Sequence, residues 1–153
     1  MPFFTLVLAI LETTAVFFAS TTLENAVNDA ARKIRTGEVQ VNNMDAAQFR
    51  QLICDEIDVF LKCDSLVVDV RSFGQFDTVT FPPPLNADGT LKNDQQFSPG
   101  TAGDVVLVRA FYTWPVMTPL IGATLSNMAN NERLISAASA FRNEPFGSIL
   151  NGP

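Results

Sequence analysis

Few side chains in this sequence could do chemistry. It contains no histidine. That removes Ser-His-Asp and Cys-His catalysis and every histidine-containing metal site. Two cysteines, Cys54 and Cys63, stand in C-x8-C spacing. This is not a zinc pattern, and two ligands cannot close a tetrahedral site. Without histidine, the usual base for activating a cysteine nucleophile is missing. Outside the cytoplasm the pair is expected to form a disulfide that fastens a helix end to the next strand; inside it, the two would be buried reduced thiols. Asn86-Ala87-Asp88-Gly89 has the look of a calcium loop. It fails as one, because the first ligand position falls on Pro84 and the twelfth on Gln95. Asp55, Glu56 and Asp58 cluster, but they read as the solvated face of a helix. There is no G-x-S-x-G, P-loop or G-x-G-x-x-G. No catalysis, cofactor or metal is therefore expected. A formal charge of −6 and a pI near 4.4 argue against a nucleic-acid partner bound through phosphates.

The remaining chemical oddity is Glu12. It is the one charge in residues 2–19, PFFTLVLAILETTAVFFA. A mean hydropathy of +0.18 is high for a small chain, and the excess sits in this run. At about 1.5 Å per residue the run is just long enough for the roughly 20 residues that a bilayer requires. A cleaved signal peptide fits poorly: the run has no basic n-region, and Phe17 stands where a small residue should precede a cut after Ala19. A buried core helix is the other reading set aside. Stepping by 3.6, the residues that share the face of Glu12 are Thr5, Ala9, Ala15, Ala19, Leu23, Ala26 and Ala30. Most are small, which permits close approach of another helix. Glu12 is thus expected in a helix-packing seam, satisfied by a donor from a partner. The bland alternative is a glutamate that is protonated or snorkels to an interface.

The elements that must position these residues follow from periodicity. Leu23, Ala26, Val27, Ala30, Ala31 and Ile34 continue an apolar stripe at helical spacing. Gly37 is a natural stop. One helix over about 3–36 is expected, greasy all round at first and amphipathic later. The chain then divides into residues 1–37, a membrane or filament-packing helix, and 38–153, a small α+β domain with an antiparallel sheet. In the domain, Asp45 with Gln48 forms a capping box. It opens a helix whose stripe is Phe49, Leu52, Ile53, Ile57, Phe60 and Leu61. Residues 65–73 alternate as a half-buried strand, and 78–81 make a short second one. Residues 82–103 form a long irregular stretch. The strongest strand is 104–116, apolar on both faces and so expected to be central. Residues 119–129 read as a short helix opened by proline. Residues 133–142 fit either a strand or a helix; we assign a strand, since a central strand needs a second neighbour. The tail from Asn143 is expected to be loose.

Together these segments resemble a type IV pilin or pseudopilin, and more narrowly the TadE/TadG-like family of tight-adherence (Tad) pilus assembly proteins. The resemblance runs through PFFTLVLAILETTAVFFAS, LENAVNDAARKIRTGEVQ, CDSLVVDVRSFGQF, GDVVLVRAFYTWPV and AFRNEPF. It implies a minor pilin-like structural subunit that initiates or caps the filament, with other pilin-like subunits as partners in a homo- or hetero-oligomer. It also implies an inner-membrane protein with a periplasmic C-terminal domain, later carried to the surface pilus. The family's processing site and its small-Val-Glu-Phe signature belong upstream of Pro2-Phe3-Phe4. Glu12 matches the family's second glutamate, so the N-terminal recognition role is not assigned to it. Two further readings remain: a repeating filament subunit, and a membrane-anchored envelope binding module that works through 82–103.

Overall fold

A computed structural model describes residues 2–118 and 122–146. The first helix, α1, runs without a break from Pro2–Arg35. No glycine interrupts it, and Arg32, Lys33 and Arg35 complement the negative end of its dipole. Gly37 ends it with φ of +83°, a conformation open to glycine. A β-carbon there would also collide with the Phe146 ring. A short helix not foreseen in the sequence, α2 (Glu38–Val41), follows at once. The capping box forms as expected: Gln48 N–H donates to Asp45 Oδ1 at 2.8 Å, and Asp45 N–H to Gln48 Oε1 at 3.0 Å. It opens α3 (Ala46–Ile57).

Three strands make one antiparallel sheet in the order β1 (Leu66–Phe73), β2 (Val105–Pro115), β3 (Glu132–Arg142). The strand assignment for 133–142 and the central place of 104–116 are both borne out. Val106, Val108, Ala110 and Tyr112 face α1 and α3 and share a core with Leu23, Ala26, Val27, Ala30, Ala31, Ile34, Phe49, Ile53 and Ile57. The amphipathic half of α1 is thus an element of the globular core.

Four expectations need correction. Residues 78–81 pair with no strand; Phe76–Thr78 is a turn of 3-10 helix, and Pro82 to Pro84 cut off any ladder after it. The helix expected over 119–129 is described only as α4 (Gly122–Leu125), and 119–121 lie outside the described residues. Phe60 does not join the α3 stripe: α3 ends at Ile57, and Phe60 is exposed in the turn beyond. The tail is not loose through Phe146, because Asn143 and Phe146 are buried and Glu144 N–H donates to the Arg35 carbonyl at 2.9 Å. Residues 147–153 lie outside the described part.

The irregular stretch is fastened down. Val70 N–H donates to Gln96 O, and Ser98 N–H to Val70 O, so the loop covers the free edge of β1. Phe97 reaches Phe49 of α3, with ring centroids 5.5 Å apart. Asp88 accepts from both the N–H and the hydroxyl of Thr90, which holds its carboxyl below the usual range.

Cys54 and Cys63 form a disulfide, with Cα atoms 5.5 Å apart. Arg50 adds to the same joint by donating to the carbonyls of Cys63 and Leu66. For a ring of this size, chain entropy gives about 2–3 kcal/mol of stabilisation. Reduction, or Cys54→Ala with Cys63→Ala, should lower the unfolding free energy by that amount in a denaturant titration. A midpoint indifferent to reductant would show that the pair contributes nothing.

Candidate packing and membrane site on the first helix

The site is the N-terminal half of α1 and what touches it. Phe3, Phe4, Leu6, Leu8, Ile10, Leu11, Phe17 and Phe18 are exposed. An 18-residue window of α1 has mean hydropathy 1.9, enough to cross a membrane by length and composition. Its threonines do not spoil that surface. The hydroxyls of Thr13, Thr14, Thr21 and Thr22 each donate to the carbonyl four residues back, at 2.8–3.0 Å.

Glu12 is buried, at 8% exposure, and its two carboxylate oxygens are both used. Oε1 accepts from Met117 N–H at 2.6 Å, and Oε2 from Thr118 N–H at 2.8 Å. Successive backbone amides that converge on one carboxylate make an anion cradle. The cradle is held in place from behind: Val116 N–H donates to Asn131 O, and Asn131 Nδ2–H to Val116 O. Residues 116–118, which leave β2, therefore run beside α1 at the level of Glu12. Trp114 lies in the same wall, lining a cleft with Leu8, Leu11, Ala15 and Met117. Its indole nitrogen is buried without a hydrogen-bond partner among the described residues.

The seam residues fall into three groups. Ala19, Leu23, Ala26 and Ala30 are buried within the chain's own core. Glu12 and Ala15 meet the Trp114–Thr118 segment. Ala9 stays half-exposed between Leu6, Ile10 and Thr13 on the bare part of the helix. The donors to Glu12 belong to this chain and not, as expected, to a partner; they could not have been read from the sequence, being main-chain groups more than a hundred residues away. Among the described residues no group of three or more Cys, Asp or Glu side chains is placed to hold a metal.

The comparison that bears on this helix is short. Residues 1–32 match the family model of TadE-like proteins. The N-terminal segment is similar to TadE-like proteins. The TadE-like match covers the bare part of α1 and most of its buried part, and it ends before Gly37. The domain blocks from Cys63 onward lie beyond it. No curated protein and no solved structure matches the chain.

Proposed function

We propose that this chain is a minor, pilin-like structural subunit of a tight-adherence pilus. It is anchored in the inner membrane by α1, with the globular part in the periplasm, and is later built into the filament base or tip. The observation that carries this reading is the division of one unbroken helix. Its C-terminal half is part of the core of the domain, and its first ten residues, as far as Leu11, are apolar and largely bare. With no hinge between the two, any helix that packs on the bare part also orients the domain. The TadE-like match over the same helix supports the reading, and a disulfide suits an oxidising compartment.

The half-exposed Ala9 is the place to test it, because small residues let helices approach closely. Ala9→Phe keeps the segment apolar and touches no buried part of the domain. The variant should reach the membrane at normal level and keep its disulfide, yet piliation should be lost and cross-links to other subunits should disappear. Normal piliation with Ala9→Phe would overturn the helix-packing role.

A further inference from the structure

We propose that the base of the globular part is itself seated in the bilayer, with lipid at the headgroup–acyl boundary covering an apolar collar of Phe17, Phe18, Val59, Phe60 and Met117. This rests on α1 entering a membrane, but not on the pilus reading.

Three of the five collar residues come from two turns of the domain. Val59 is 79% exposed and Phe60 63%, just after α3 ends; Met117 is 75% exposed just after β2. Both turns lie against the apolar segment of α1. The Phe60 ring meets Phe18 edge-on at a centroid distance of 4.9 Å, and Met117 follows the backbone that grips Glu12. The exposed apolar surface therefore does not stop where the domain begins. It passes from Phe3–Leu11 of the helix onto the domain's own turns.

Depth agrees with an interfacial seat. Glu12 and Phe18 are six residues apart, about 9 Å along the helix axis. The interfacial layer is about 5–10 Å thick, so one layer holds both contact levels. The carboxylate and the threonine hydroxyls between residues 12 and 22 are answered within the chain; the Trp114 indole nitrogen beside them has no hydrogen-bond partner among the described residues. Glu12 has its two amides, and the threonine hydroxyls have their carbonyls. A carboxylate bonded in this way can enter a layer poor in water without an unmet hydrogen-bonding demand. Just beyond Phe60 come Lys62 and Asp64, with Asp58 just before Val59, so the turn has no excess of positive charge. Apolar insertion, rather than attraction to anionic lipid, must hold the seat.

A second copy of the chain is the rival occupant, and one probe separates the two. Trp114 is the chain's single tryptophan and lines the cleft beside Glu12 and Met117. The full chain is reconstituted in phosphatidylcholine vesicles, with and without phosphatidylglycerol. The bilayer carries lipids brominated either near the headgroup end or near the methyl end of the acyl chain. Shallow bromines should quench Trp114 about threefold more than deep ones, in both lipid mixtures. Val59→Asp and Phe60→Asp should each cut shallow quenching about twofold while the protein still floats with the vesicles. Val59→Asp changes a side chain almost wholly in solvent, so an unchanged near-ultraviolet circular dichroism spectrum will show that the domain stays folded.

Vesicle-bound protein whose Trp114 is open to acrylamide and untouched by bromines would overturn the proposal, since the domain would stand clear of the membrane. Trp114 shielded from both quenchers, with cross-links between copies through position 117, would overturn it in favour of a second copy. Quenching unaffected by Val59→Asp and Phe60→Asp would overturn the collar as the seat. Protein that fails to float with vesicles would remove the membrane reading of α1 first, a result distinct from any of these.

Discussion

Asp69→Ala is expected to lower the stability of the domain by about 3–5 kcal/mol, more than opening the disulfide or removing the Glu12 carboxylate should cost. Asp69 is 1% exposed on the sheet face turned away from α1. It receives Nη2–H of Arg109 at 2.6 Å, Nε–H of Arg71 at 3.0 Å and the backbone N–H of Gln96 at 2.9 Å. Arg109 is nearly as deeply buried and also donates to the Pro82 carbonyl at 2.7 Å, with its guanidinium 5.3 Å from the Phe111 ring centroid. Removing Asp69 leaves that guanidinium in a poorly solvated place without its counter-charge. Arg71 is better placed to swing outward, since it also pairs with the exposed Asp94. Replacing both partners, Asp69→Leu with Arg109→Met, should recover most of the loss, because it is the widowed charge that costs. Urea unfolding followed by circular dichroism measures both variants, and limited proteolysis within 82–103 should quicken for the single variant alone. A loss below about 1 kcal/mol for Asp69→Ala would show that water reaches Arg109 freely.

Glu12→Ala should cost about 2–3 kcal/mol. Two backbone N–H groups lose their acceptor. The one on Thr118 is buried and cannot turn to water, whereas that on Met117 is partly exposed and can. The damage should be local at first. Hydrogen exchange at Met117 and Thr118 should quicken by one to two orders of magnitude, about the factor that 2–3 kcal/mol implies. Exchange in β1 and in the middle of β2 should rise much less. Glu12→Gln keeps one carbonyl oxygen but turns an NH2 group toward the second amide, so it should recover only part of the protection. Unchanged exchange at Met117 and Thr118 in Glu12→Ala would mean that the cradle is not the resting state of the chain.

Helix α1, the capping box, the disulfide partners and the central strand were legible because each is written in local pattern. Periodicity, an Asp-x-x-Gln pair and a run apolar on both faces do not depend on distant residues. The site was legible on one side only. Glu12 stood out as the lone charge in an apolar run, but its donors are anonymous main-chain groups with no side-chain signature. Asp69 and Arg109 were visible only as polar positions in strands. Their antiparallel register brings them opposite each other, and register is a product of the whole sheet. The 78–81 segment had strand-forming residues but no partner edge, since the edge of β1 is taken by the loop around Phe97. Phe60 obeyed the helical spacing and left the helix all the same, because Asp58 ends α3 first.

The cradle around Glu12 has a consequence in time. Its two halves are 105 and 106 residues apart in the chain. At ordinary rates of synthesis, about 5–20 residues per second, the carboxylate is made about 5–20 s before the amides that receive it. During that interval the apolar helix has left the ribosome and must be handled with an unanswered acid in it. The contact that fixes the domain against the helix thus closes late, after β2 has been made. Any partner that meets the newborn helix earlier finds Glu12 open, and any that comes later finds it taken.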